Sequence, residues 1–238
     1  MLCVYGVVRA ADADSVDVAD RGVHAGEVRL VRCGRVAALV SRLDGDPLAR
    51  RRDVEAHLDV LERAFRSAAL LPFRFGTVVE DDEALRQVLV DGEDDYLRML
   101  DELAGLVQMT VKVVRSEDAA IRAAVDADDR LRRVVRRLQG STVIADQIQL
   151  GEHVANAVQM LSERDAHDVT TRLTGLARAV ISDPVAPPTV VSLALLMRPD
   201  EVPALDQAVA GLLDDYSSRL TFDYAGPMPP YSFVGPGE

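Results

Sequence analysis

Strand-like and helix-like stretches alternate along this chain from one end to the other, and that interleaving constrains the fold more than any single residue does. Short β-branched, apolar or alternating runs at 2–8, 27–33, 35–43, 73–79, 109–115, 189–197 and 220–224 read as strands. Between them apolar residues recur every three or four positions. Val54, Leu58, Leu61 and Phe65 give one face to a helix over 50–70, which Pro72 should stop. Leu85, Leu89, Leu97, Leu100 and Leu103 mark a helix from Asp81 to about Leu106, with Asp81, Asp82 and Glu83 suited to its first turn and Gly92 placed to kink or split it. A helix opens at Ser116-Glu117-Asp118 and continues to Leu138, and Gly140-Ser141 interrupts it. From Thr142 a second stripe (Val154, Val158, Leu161, Val169, Leu173, Leu176, Val180) predicts one long helix to about Ile181. Val202, Leu205, Val209, Leu212 and Tyr216 place a last helix over 199–218.

Such mixing excludes all-helical and all-strand folds and predicts an α+β protein. The order β, ββ, α, β, α, then β, long α, β, α, β breaks near Leu106–Met109. We therefore expect an N-terminal α+β domain at 1–107, a C-terminal domain at 108–225 and a Pro/Gly-rich tail at 226–238. The second block reads as a modified ferredoxin-like unit that lacks one strand and carries extra long helices. Residues 27–43 read as a hairpin turning at Gly34, ended by Asp44-Gly45-Asp46-Pro47. No short-period repeat occurs.

Composition narrows the function classes. The 238 residues carry a net charge of −12, which argues against broad nucleic-acid binding, since that depends on neutralising phosphates. No apolar run approaches the ~20 residues of a membrane-spanning helix. Met1 runs straight into a strand without a basic leader region, which predicts no secretory signal and a cytoplasmic address. Cys3 and Cys33 sit in apolar, strand-like runs and read as small packed hydrophobes. His24, His57, His153 and His167 have no zinc-ligand spacing. Lys112 is the only lysine and Asn156 the only asparagine, a skew that points to a GC-rich coding sequence rather than to function.

Enzymatic signatures are thin. Gly34, Gly151 and Gly211 stand without partner glycines, so no phosphate-cradling loop forms, and no Gly-x-Ser-x-Gly occurs. The pairs Asp94-Asp95, Asp128-Asp129 and Asp214-Asp215 lie on expected helices. Neighbouring helix positions diverge by about 100°, so these read as solvated faces. No enzyme, cofactor or metal is expected. Arg130, Arg132, Arg133, Arg136 and Arg137 form the one basic cluster. It is either a solvated helix laced by i, i+4 ion pairs or a docking stripe for an acidic partner, and nucleic acid fits less well because no aromatic residue interleaves. The acidic excess is concentrated towards the C-terminus, with 5 basic against 12 acidic residues over 151–238 and 22 against 27 over 1–150.

Two segments are more specific. One is Leu71-Pro72-Phe73-Arg74-Phe75-Gly76-Thr77, after a helix bearing His57, Leu61 and Glu62. In a strand, Arg74 would face away from Phe73 and Phe75, either to pair with a carboxylate such as Glu62 or to reach a partner. The other is Gly226-Pro227-Met228-Pro229-Pro230-Tyr231-Ser232-Phe233. There Pro229-Pro230 should hold an extended backbone while Tyr231 and Phe233 supply apolar anchors. This tail either folds back on its own core or offers itself to a partner.

With Val4-Tyr5-Gly6-Val7-Val8 at the start, these blocks follow in an order that resembles the gas vesicle protein F/L family (GvpF/GvpL), over essentially the whole chain. One departure is Met228, where the family usually has Trp; Met can fill the same space but has no indole N–H. The resemblance implies a non-enzymatic accessory protein of gas vesicle assembly, without cofactor. Its implied partners are the hydrophobic shell-forming protein GvpA and other accessory proteins, and its implied place is a cytoplasmic, vesicle-associated one. It also implies a fold of two α+β domains, the second ferredoxin-like. Pro72, Phe73, Arg74, Phe75, Arg130, Arg133, Arg137, Pro229, Pro230, Tyr231 and Phe233 are the candidate partner-binding or motif residues. A reading of another class is a small-ligand-binding regulatory module built on the ferredoxin-like domain.

Overall fold

The first strand is covered on both faces, and this organises the first half of the chain. The computed structural model describes residues 1–45, 50–138 and 143–235. Strand β1 (Leu2–Arg9) pairs antiparallel with β3 (Val36–Arg42) on one side and with the short β4 (Leu70–Pro72) and β5 (Val78–Val79) on the other. β2 (Val28–Cys33) pairs with β3, giving the order β2-β3-β1-β4. The register of β1 shifts between Val4 and Gly6, a bulge at Tyr5. Because strand faces alternate with period two, the extra residue reverses the parity beyond it. Cys3, Tyr5 and Val8 thus share one apolar cluster with Val60, Leu61 and Ala64 of α1 (Arg51–Phe65). Leu2, Val4 and Val7 share another with Leu85 and Leu89 of α2 (Asp82–Asp91) and Leu97 and Leu100 of α3 (Glu93–Leu103).

Several local devices hold this layer. The Tyr5 hydroxyl lies 2.7 Å from Ser41 Oγ and accepts from the Val23 N–H at 2.8 Å. Burial pushes that phenol up to about 12. At the β2–β3 turn, Gly34 has φ +58, and a Cβ there would lie 1.9 Å from Glu93 Oε2. The Glu93 carboxylate accepts from Arg35 N at 2.8 Å and Nε at 2.7 Å, so only glycine fits both the turn and the docked carboxylate. Asp81 caps α2 by accepting from Glu83 N and Ala84 N.

The second half repeats the logic with longer helices. Its elements are β6 (Val107–Arg115), α4 (Glu117–Ala127), α5 (Asp129–Leu138), α6 (Ile144–Thr174), β7 (Ala179–Ser182), β8 (Thr189–Met197), α7 (Val202–Tyr216) and β9 (Leu220–Met228). The four strands order β7-β8-β6-β9. Val111, Val113, Leu193, Leu195 and Met197 are buried in the sheet, as are Leu205, Val209 and Leu212 of α7 and Val169 and Leu173 of α6. Ala120 and Ala124 of α4 pack on Val158 of α6. The C-terminal half of α6 is tied down by charge. Buried Asp165 accepts two hydrogen bonds of 2.8 Å from Arg219, whose guanidinium lies 4.6 Å from the centre of the Tyr216 ring. One turn on, Asp168 accepts from Tyr216 at 2.6 Å and Arg172 reaches Asp215 at 2.7 Å.

By backbone proximity the chain divides into two compact units, Met1–Gln108 together with the segment from Pro227, and Met109–Gly226.

The structure corrects several sequence expectations. The helix read over 50–70 ends at Phe65, and Pro72 closes a strand instead of stopping a helix. Residues 73–77 form no strand; only Val78–Val79 does. The helix read over 116–138 breaks at Asp128, whose carboxylate accepts from Arg130 N and Leu131 N and restarts the chain as α5. The long helix ends at Thr174, and Ala179–Ser182 forms β7, antiparallel to β8, so the second sheet has four strands among the described residues, one more than the sequence reading gave. The final strand runs to Met228. The expected interruption at Gly140-Ser141 and the end of the Asp44–Pro47 turn lie outside the described residues. Cys3 is buried and Cys33 half-buried, both as free thiols.

Candidate functional site

Both motif segments meet in the first unit, around one face of α1. The chain leaves the sheet after Pro72, at a point where β1 cannot carry a side chain. A Cβ on Gly6, the partner of Pro72, would lie 2.5 Å from the Leu71 carbonyl oxygen. Phe73 N still donates to the Tyr5 carbonyl at 2.7 Å, and Val4 N to the Thr77 carbonyl at 2.9 Å. Between these anchors Arg74–Thr77 forms a turn. Thr77 N and Oγ1 donate to the Arg74 carbonyl at 3.2 and 2.8 Å, and Gly76 adopts φ +91.

The turn sends the two phenylalanines apart, where strand alternation would have kept them on one face. Phe73 packs in the α2–α3 cluster, its ring 5.9 Å from that of Tyr96. Phe75 joins the α1 cluster and meets His57 edge-on at 5.6 Å. Arg74 projects into solvent. The expected pair with Glu62 is not formed, and Arg74 makes no ion pair among the described residues.

His57 is the polar pivot of this region. It is buried, with its Nε2 3.1 Å from the Phe73 carbonyl and its ring 5.2 Å from that of Tyr5. A carbonyl only accepts, so Nε2 carries the proton and Nδ1 is left bare and without a partner. Burial holds the imidazole below its ordinary pKa, the Phe73 carbonyl opposing, so it stays neutral.

The tail folds back onto this same unit. Pro229 and Pro230 are buried, and the chain then turns sharply, with Tyr231 N donating to the Pro229 carbonyl at 2.8 Å and Phe233 N to the Pro230 carbonyl at 3.0 Å. The expected extended stretch is therefore limited to the prolines. Tyr231 packs against the α1 cluster and Val234 against the α2–α3 cluster, so the tail touches both layers. Gln108 holds it, accepting from Ser232 N at 2.9 Å while its amide lies 4.0 Å from Met228 Sδ. The Tyr231 hydroxyl is buried without a hydrogen-bond partner, and burial beside the Glu62 charge raises its pKa. Phe233 is half-buried.

The remaining candidates lie in the second unit. Arg130, Arg133, Arg136 and Arg137 are exposed on α5 and make no ion pair among the described residues; Arg132 alone pairs, with Asp129 at 2.9 Å. The one pair is spaced i, i+3, so the expected lacing by i, i+4 pairs is found at none of the five arginines among the described residues.

One feature escaped sequence reasoning. An open cavity of about 780 Å³ in the first unit is lined by Arg21, His24, Arg50, Arg52 and Asp53 among others. Asp53 is 3% exposed with its Oδ2 unpartnered, and His24 Nε2 stands 3.9 Å away. His24 and Ala25 take left-handed φ of 54 and 56, which no residue type there announces. Among the described residues, no three His, Cys, Asp or Glu side chains gather as a metal site would need.

Two antiparallel sheets backed by helices, with a tail that re-enters the first layer, define a class of mixed helix-and-sheet protein. Solved structures share that fold. The gas vesicle protein GvpF from Anabaena sp. PCC7120 superposes with a TM-score of 0.80 at 23% identity, covering 100% of this chain and 99% of that one. GvpF from Microcystis aeruginosa superposes with a TM-score of 0.74 at 21% identity, over 98% of each chain. In sequence, gas vesicle protein F of Streptomyces sp. (strain CB03234) is 32% identical over 234 residues, 97% of this chain and 98% of its own. The family model described as gas vesicle synthesis protein GvpL/GvpF matches residues 1–235, and the chain belongs to that family.

Proposed function

We propose that this chain is a non-enzymatic accessory protein of gas vesicle assembly that binds the hydrophobic shell-forming protein GvpA and other accessory proteins, in a chaperone-like or minor structural role. The observation that carries the reading is the family match over residues 1–235. Its relatives are named gas vesicle proteins F and L, which supports a role in vesicle formation. The two units would act as two domains, the second a modified ferredoxin-like one. Its β-α-β-β-α-β connectivity and β7-β8-β6-β9 order support that description, with α4 to α6 replacing a single crossover helix.

The physical task is to keep an apolar subunit from aggregating and then to release it when many repeated shell contacts outcompete one accessory contact. A net charge of −12 would keep the loaded complex soluble by mutual repulsion. In this reading the Pro72–Phe75 segment and the Pro229–Phe233 tail chiefly brace the first unit, since Phe73, Phe75 and Tyr231 are spent on internal packing. Arg74, exposed where the turn opens, is the motif residue free to meet a partner.

Co-expression tests this. The shell protein should stay in the soluble fraction and co-purify with this chain. Shell protein that precipitates equally with and without it would sink the proposal. The ligand-binding alternative would need a concave polar site on the second unit; a cavity there lined by Arg115, Gln159 and Glu163 among others has about 190 Å³, smaller than the ~300–1,000 Å³ usual for ligand sites.

A further inference from the structure

The arginines of α5 only partly suit their own helix: Arg136 and Arg137 lie in its last turn, where the macrodipole favours a cation, but the rest of the set does not gain from it. Arg130 lies in the first turn, where the macrodipole disfavours a cation. Arg133 stands three or four residues from Arg130, Arg136 and Arg137, so like charges face one another across each turn. The inward side is occupied by Leu131, with Val134, Val135 and Leu138 half-buried, so the guanidinia crowd the solvent side. Asp128 and Asp129 relieve little of this, because Asp128 caps backbone N–H groups and Asp129 pairs with Arg132. Arg130, Arg133, Arg136 and Arg137 thus crowd one helix face of a chain of net charge −12 with no ion pair among the described residues, and Arg130 and Arg133 gain nothing from the helix dipole.

We infer that the outer face of α5, centred on Arg130, Arg133 and Arg137, is a docking surface for a carboxylate-rich amphipathic helix of a protein partner. Charge selects the occupant: closely spaced guanidinia bind carboxylates bidentately. A helix, rather than an unstructured acidic tail, is favoured by apolar side chains on α6, against which α5 packs. There Ile144 is 73% and Ile148 58% exposed, one turn apart. The helix bears no aromatic residue on which bases could stack, which disfavours single-stranded nucleic acid. The inference rests on the accessory-protein reading only for who the partner is.

The test uses the purified full chain and a labelled amphipathic helical peptide of about 20 residues with glutamates edging its apolar face. Binding should be measurable at about 50 mM salt, weaken strongly at about 500 mM, and be absent for the same peptide with lysines. Arg130→Glu/Arg133→Glu should weaken binding at least about tenfold while leaving the melting temperature unchanged or higher, because it relieves like-charge crowding. Equal affinity of variant and native chain for the glutamate peptide would overturn the assignment. So would a preference for duplex DNA or anionic lipid vesicles over the peptide. Co-purification of the shell protein with the native chain reports separately on the accessory reading.

Discussion

Replacing Asp165 by alanine should detach the C-terminal half of α6 from the end of α7 and the start of β9. Asp165 is 3% exposed and bonded bidentately to Arg219, whose side chain is 20% exposed. Removing one partner of a buried pair costs about 3–5 kcal/mol, because the other charge is left uncompensated. Here the guanidinium keeps some water and its stacking on Tyr216, so we expect about 2–4 kcal/mol. For a unit of this size that lowers the melting temperature by roughly 8–16 °C. Asp165→Asn keeps an acceptor and should lose less. Asp165→Leu with Arg219→Met removes both charges and should lie nearest the native protein. Urea unfolding with hydrogen exchange of α6 and β9 peptides would read this order. A loss below about 1 kcal/mol for Asp165→Ala, or a double variant worse than either single one, would refute the reasoning.

Three further outcomes are expected. Tyr231→Phe should leave stability unchanged or raise it by up to about 1 kcal/mol, since it removes a buried hydroxyl that bonds nothing; a clear loss in urea titration would show that the hydroxyl is satisfied. Gly6→Ala should cost more than about 2 kcal/mol or prevent soluble expression, because its Cβ would press on the Leu71 carbonyl at 2.5 Å, and native-like melting would contradict it. Acidification should weaken the first unit in two stages. Neutral His57 has a folded pKa below its unfolded value, so its contribution is full above about pH 6.5 and declines as pH falls. Glu93, held low chiefly by the Arg35 N–H, and Asp82, held low by Arg29, lose theirs only below about pH 4. His57→Gln should abolish the first stage and spare the second, as denaturant titrations at several pH values would show.

The sequence exposed the parts whose pattern is local. The β2–β3 hairpin, the split at Gly92 and the α7 stripe each declare themselves within a few residues. It concealed β7 because Leu173, Leu176 and Val180 keep helical spacing by coincidence across the true end at Thr174, where Gly175 was the available signal. The break at Asp128 was likewise signalled by a capping residue inside a run of helix formers. The candidate site was half legible. The two motif segments could be picked out, but their meeting depends on Gln108 binding Ser232, 124 positions away, which no local pattern encodes. The opposite fates of Phe73 and Phe75 follow from a turn at Gly76, and alternation alone assigned them to one face.

The return of the tail has a consequence for the order of events on the ribosome. Residues 109–226 must all be synthesised before Tyr231 exists, about 118 positions that occupy roughly 6–24 s at ~5–20 residues per second. A first unit that folds within that interval does so without the phenol that packs against its α1 cluster and without the Val234 side chain that reaches the other layer. Such a nascent chain would present an apolar notch that the finished protein does not. Completion of the second unit, not of the first, is what times its closure.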